Sequence, residues 1–345
     1  MRIRTTLTTL TAAFVAVGLL AGCGGSTGPS SASADGKGSI TLYNAQHEDL
    51  MKLMVADFTR RTGIAVQMRS GDDVELANQL VQEGGASPAD VFVTENSPAM
   101  TLVDSKDLFA PVSAAALAQV PARYVPSDKN WVGFAARATV FAYNGTKVTE
   151  AGLPASLLDL AKPAWKGRFG ISAGGADFQA IVSGVLSLKG EAATAAWLSG
   201  LKTNAKLYEG NSTVMKAVNS GEIDGGVIYH YYWYKDQAES GANSNAVKLQ
   251  YFGKQDPGAF VSVSGAGVLK SSKNQALAQQ FVQYLNGPQG QQVLAGSGAL
   301  EYAIANGAAS AAALKPLDQL DPPNVDVAQL NGAKVVELMQ QAGLL

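Results

Sequence analysis

The chain has 345 residues, 47% hydrophobic and 16% charged, with 26 Lys and Arg against 28 Asp and Glu for a formal charge of −2. That length suits two domains and a sizeable core, and the composition excludes a disordered chain, which needs low hydrophobicity and high charge. The near-neutral balance excludes a global polyanion-binding surface, so no nucleic-acid partner is expected; one cysteine and two histidines exclude a disulfide framework, a thiolate metal cluster and a His-rich site.

Residues 1–22 read as a targeting signal. Arg2 and Arg4 precede an apolar run from Ala12 to Leu20 that is too short to span a bilayer comfortably. It ends in Leu20-Ala21-Gly22-Cys23, which looks like a bacterial lipoprotein signal whose cysteine is lipidated and becomes the new N-terminus. The plainer alternative is a secretory signal with an incidental cysteine. Residues 23–38 are rich in Gly, Ser and Ala and predict a flexible tether.

The folded part alternates strands and helices, the pattern of α/β layers. Ser39–Tyr43 predicts a strand, Glu48–Arg61 a helix with Leu50, Met51, Met54, Val55 and Phe58 inward, and Ile64–Met68 a second strand. Val74–Gln82 predicts a helix and Asp90–Thr94 a buried strand. Further strands are expected at Trp131–Tyr143, Arg168–Ser172, Gly225–Tyr229, Val247–Tyr251 and Ala259–Ser264. Helices are expected at Asp177–Leu188, at Ser212–Asn219 with Asn211 as N-cap, at Gln275–Leu285 and near Val327–Gln341. The architecture that fits is two α/β lobes with a cleft between them, where ligands lie at the carboxyl ends of strands.

The candidate ligand residues all follow strands. His47 ends Tyr43-Asn44-Ala45-Gln46-His47, and Glu95 ends Asp90-Val91-Phe92-Val93-Thr94-Glu95. Tyr231 and Tyr232 lie in Tyr229-His230-Tyr231-Tyr232-Trp233-Tyr234, a dense aromatic run in a chain that is 8% aromatic. Each has a plain structural reading: His47 and Glu95 as helix-capping groups, the tyrosines as core packing or a stacking platform. Together, however, one His, one carboxylate and two phenols suit a hard, highly charged cation able to displace phenolic protons. Ferric iron fits, because one carboxylate and two phenolates balance its charge. Zinc favours Cys and His, and calcium favours clustered carboxylates.

On these motifs the chain resembles the bacterial periplasmic ferric-ion-binding proteins, the solute receptors of iron ABC importers with a transferrin-like site. The resemblance runs from about Ser39 to the C-terminus and also includes Trp131-Val132-Gly133 with Arg137, Tyr143-Asn144 and Asn211-Ser212. It implies a type II, two-lobed periplasmic-binding-protein fold with the ligand in the interlobe cleft. It implies Fe3+ as transported ligand on His47, Glu95, Tyr231 and Tyr232. A small synergistic anion such as phosphate would be held by the turn Gly174, Gly175, Ala176 and by Asn211. Two positions depart from well-known members: Asn96 stands where they carry Gln, and Tyr229 where they carry Asn.

Arg137 is expected either to orient a tyrosine or the anion from the hinge strand, or to be a solvated strand-edge charge; His230 is expected beside the site and not on the metal. The expected lobes are 39–137 with 265–345, and 138–264, the chain crossing near Arg137–Tyr143 and again near Val263–Val268. The implied function is an extracytoplasmic receptor, not an enzyme, delivering Fe3+ to an ABC importer permease and ATPase. It would be a monomer in the cell envelope, touching the membrane through its lipid at Cys23. Two alternatives are a receptor for an organic solute such as a polyamine or sugar, and a secreted enzyme. The enzyme reading has little material, because Asp90 and Glu95 stand at opposite ends of one strand, about 17 Å apart at ~3.3 Å per residue.

Overall fold

The computed structural model describes residues 37–345; the expected targeting signal, Cys23 and most of the expected tether lie outside the described residues. The strands are β1 (Ser39–Ala45), β2 (Ala65–Ser70), β3 (Val91–Thr94), β4 (Phe109–Ala110), β5 (Val132–Asn144), β6 (Phe169–Ile171), β7 (Ala205–Leu207), β8 (Gly225–Tyr229), β9 (Val247–Gln250), β10 (Val261–Leu269) and β11 (Tyr302–Ala303). They run in the order β2-β1-β3-β10-β5-β8-β6-β7, with β4 on β10 and β9 and β11 on β5. β1 is parallel to both β2 and β3, whereas β10 is antiparallel to β3 and β5.

β5 runs through both halves of the sheet. Its first half, Val132–Ala138, pairs with β10, while Thr139–Tyr143 pairs with β8. Every residue of β5 is buried, including one charge, Arg137, in a largely apolar run. The register of β10 with the first half of β5 starts at Val261 and shifts between Ser264 and Gly265. A Cβ on Gly265 would stand 2.4 Å from Met100 and 2.9 Å from Trp131, which is why that irregular position is glycine.

The helices are α1 (Glu48–Thr62), α2 (Asp73–Glu83), α3 (Ser97–Asp104), α4 (Ala114–Leu117), α5 (Ala176–Lys189), α6 (Glu191–Asn204), α7 (Asn211–Ser220), α8 (His230–Glu239), α9 (Gln275–Asn286), α10 (Pro288–Gly296) and α11 (Gly332–Gln341). α1 ends on Gly63, whose φ of 75° is the left-handed conformation glycine adopts freely at a helix C-terminus. Among the described residues no helix is long and apolar enough to cross a membrane.

One core gathers β1, β3, the first half of β5, β10 and α9 around Phe58, Phe92, Trp131, Phe134 and Phe281. A second gathers Phe141, Trp165, Phe169, Phe178, Trp197, Tyr229 and Tyr231. The final helix departs from the expected grouping of 265–345 with the first lobe: Val335, Leu338 and Met339 are buried in the second core. Their spacing makes one apolar stripe, and the surface open to it is that of α5 and α6. The helix also begins at Gly332, later than expected, after a 3-10 turn at Val327–Gln329.

Candidate metal centre

The loops after β1 and β3 and the first turn of the helix after β8 deliver the predicted residues to one place. His47 occupies the N-cap position of α1 but makes no capping hydrogen bond, so its ring is free to face the cleft. Glu95 does not cap α3 either: Asn96 holds that position, and the backbone N–H groups of Glu95 and Asn96 both donate to Asp73 at 2.9 Å. Tyr231 and Tyr232 lie in the first turn of α8, with rings stacked 4.3 Å apart.

The donor atoms converge. His47 Nε2 lies 3.0 Å from Glu95 Oε1. The Tyr231 hydroxyl donates to the same Glu95 oxygen at 3.0 Å and reaches Asp177 Oδ2 at 3.3 Å. The Tyr232 hydroxyl donates to Asp177 Oδ2 at 3.0 Å. His47 and Glu95 side chains keep 25% and 21% exposure, so the cluster is reachable from solvent. Among the described residues no three His, Cys, Asp and Glu side chains are arranged to hold a metal by themselves; the phenols complete this donor set.

Asp177 is the residue sequence reasoning missed. It lies in the first turn of α5, directly after the Gly174–Ala176 turn expected to hold an anion, and it is buried. Asn211 is not the N-cap of α7, since Gly210 takes that place. Its amide donates instead to Asp177 Oδ2 at 2.9 Å. Asn96 donates to Asp177 Oδ1 at 3.1 Å, and the Tyr229 hydroxyl reaches Asn96 Oδ1 at 3.5 Å. The two departures from the family pattern are thus one linked pair, and Asn96 joins Asn211 in holding the Asp177 carboxylate. From sequence, Asp177 reads as an ordinary acid favoured by a helix N-terminus.

Arg137 is fully buried and so is not a strand-edge charge. Its Nη1 lies 2.7 Å from Glu95 Oε1, and its Nη2 donates to Glu301 Oε2 at 2.7 Å. Glu301 is the second residue missed, although one signal was present: it is the sole charged residue between Lys273 and Lys315. His230 is buried; its Nδ1 accepts from the Ala138 N–H at 3.2 Å and its ring stacks on Tyr302 at 4.6 Å, away from the donor cluster.

The protonation pattern follows from this packing. Burial, then Asp177 and Glu95, hold the Tyr231 and Tyr232 hydroxyls well above the usual phenol range. Burial works against a charge on His47, but Glu301 and then Glu95 outweigh it and push the imidazole up to about 9. It is therefore not a freely titrating imidazole near ~6.5. Burial and then Glu95 push Asp177 up to about 6. Burial raises Glu95 and Glu301, but Arg137 and then His47 prevail, so Glu95 is lowered and Glu301 is held at about 2.

Residues 86–325 match the family model described as a bacterial extracellular solute-binding protein. The chain is 62% identical over 318 residues to the Fe(3+)-binding periplasmic protein of Serratia marcescens, covering 92% of this chain and 94% of that one. It is 37% identical over 308 residues to the major ferric iron-binding protein of Neisseria meningitidis serogroup B, covering 88% and 93%. Among solved structures, iron-bound HitA from Pseudomonas aeruginosa is 41% identical with a TM-score of 0.83, covering 88% of this chain and 99% of that one. This chain belongs to the bacterial extracellular solute-binding protein family, among the periplasmic ferric-ion-binding proteins.

Proposed function

We propose that this chain is an extracytoplasmic receptor, not an enzyme, that captures Fe3+ and delivers it to an ABC importer permease and ATPase. The observation that carries the reading is the convergence of His47, Glu95, Tyr231 and Tyr232 on one cluster joined by Asp177. The relatives named above as ferric-iron-binding proteins support it. Iron would replace the protons that now lie between these donors, with His47 and Glu95 from one lobe and the tyrosines from the other. Binding would close the lobes about the β5 and β10 crossings.

Asp177 changes the expected role of the anion. We propose that its carboxylate supplies the oxygen that phosphate would otherwise bring to the Gly174–Ala176 turn. A carboxylate at a helix N-terminus needs no exogenous anion beside it. The Asn96 and Asn211 amides donate to that carboxylate and hold it in place. We further propose that the receptor works as a monomer, anchored through lipid on Cys23 at the outer face of the cell membrane or in the periplasm.

The test is the visible spectrum of the protein mixed with ferric citrate. Phenolate-to-Fe3+ charge transfer should colour the wild type. The Tyr231→Phe/Tyr232→Phe double variant keeps the rings and removes the oxygens, and it should be colourless. Equal colour and equal iron content in that variant would overturn the ligand assignment.

A further inference from the structure

Glu301 is placed by a conformation that costs the chain something. The preceding residue, Leu300, has φ 58°, in the left-handed region that a branched side chain rarely adopts. That turn directs the Glu301 carboxylate inward, where it is fully buried. Its Oε1 lies 2.9 Å from His47 Nδ1, and among the described residues neither atom has a hydrogen-bond partner elsewhere. Its Oε2 accepts from Arg137 Nη2 at 2.7 Å and from Gln46 Nε2 at 3.3 Å.

Four side chains thereby close a ring. His47 Nδ1 meets Glu301 at 2.9 Å, Glu301 meets Arg137 at 2.7 Å, Arg137 meets Glu95 at 2.7 Å, and Glu95 returns to His47 Nε2 at 3.0 Å. Two of the four, His47 and Glu95, are the proposed ligands from one lobe. The other two are not offered as ligands: Arg137 is a cation with no lone pair to give, and the two oxygens of Glu301 face His47 and Arg137.

We infer that Glu301 is a positioning residue of the iron site: its carboxylate faces the Nδ1–H of His47, which aims Nε2 at the ion, and it neutralises Arg137. The inference rests on the iron reading above. An imidazole that ligates through one nitrogen keeps its proton on the other, and a carboxylate there sets the ring orientation and makes the ligating nitrogen more basic. The second task is electrostatic. Arg137 pairs with Glu95, which iron must also claim; without Glu301 the guanidinium would be a buried cation whose near partner is being taken by a trivalent one.

The experiment loads wild type, Glu301→Gln and Glu301→Ala with ferric citrate and follows iron loss to excess EDTA. The electron paramagnetic resonance spectrum and charge-transfer band of each loaded protein are recorded alongside. Loss of such an outer partner typically weakens a metal site 10–100-fold. Release should therefore be about 10-fold faster in Glu301→Gln, whose amide oxygen still accepts the Nδ1 proton, and about 100-fold faster in Glu301→Ala. The resonance lineshape should shift in both. Should the alanine variant fail to fold, the isosteric glutamine carries the test. Release at the wild-type rate, or faster release with an unaltered lineshape and a lowered Tm of the iron-free protein, overturns the positioning role. A wild type that shows no band at all instead refutes the iron reading and takes this role with it.

Discussion

The Tyr231 hydroxyl donates to Glu95 Oε1 at 3.0 Å, joining the helix after β8 to the loop after β3. A phenolic proton thus lies between two oxygens that a ferric ion would share. Iron capture at the proposed site would be an exchange of protons for metal, and that exchange has measurable consequences.

Loading should release about three protons at pH 7.5, one each from His47, Tyr231 and Tyr232. His47 is held protonated up to about 9, and both phenols stay protonated well above neutrality. Asp177, at about 6, is mostly ionised at that pH and adds its proton only in more acidic solution. Iron retention should therefore fall with acid throughout, and more steeply below about pH 6. Proton uptake or release in weakly buffered titrations with ferric citrate checks this. His47→Gln should release one proton fewer at pH 7.5; an unchanged count removes His47 from the ligand set.

Asp177→Asn keeps the shape and most hydrogen bonds of the site while removing one anionic oxygen. Its iron affinity, measured by citrate competition, should fall at least ~10-fold, about 1.4 kcal/mol. Added phosphate should restore part of that loss in the variant and change little in the wild type. Wild-type binding that requires phosphate would return the anion to the Gly174–Ala176 turn.

The iron-free protein should be most stable near pH 6.5, because its two histidines are shifted in opposite directions. His47 is raised to about 9, so its contribution is full below ~6.5 and is lost as pH rises through 9. His230 is lowered to about 3, by burial above all, so its contribution is full above ~6.5 and is lost as pH falls toward 3. Thermal melts across pH 4–9 check this: His47→Gln should flatten the alkaline limb and His230→Phe the acidic one. An alkaline limb unchanged in His47→Gln would mean that the ring of ion pairs does not hold that proton.

Cys23→Ser should move the protein from the membrane fraction to the soluble one, read by fractionation and immunoblot. Persistence in the membrane fraction would overturn lipid anchoring through that residue.

The alternation of strands and helices was legible in the sequence because hydrophobic periodicity is a local property. The buried run Val91–Val93 and the stripe of α1 announce themselves within a few residues. The positions of His47, Glu95, Tyr231 and Tyr232 were legible for a related reason: each follows a strand, and strand ends in such folds face the cleft. The helix α8 was not legible, since His and Tyr are indifferent helix formers and only packing onto the second core fixes them there.

What the tertiary structure alone decided is the company those residues keep. Asp177 looks like any acid at a helix start until Asn96, Asn211, Tyr231 and Tyr232 close on its carboxylate. Arg137 and Glu301 are 164 residues apart, and no local pattern relates them. They meet because β5 and the turn before β11 lie side by side in the folded sheet. A buried charge must find its partner wherever the fold brings one, so such partnerships are written in topology and not in spacing.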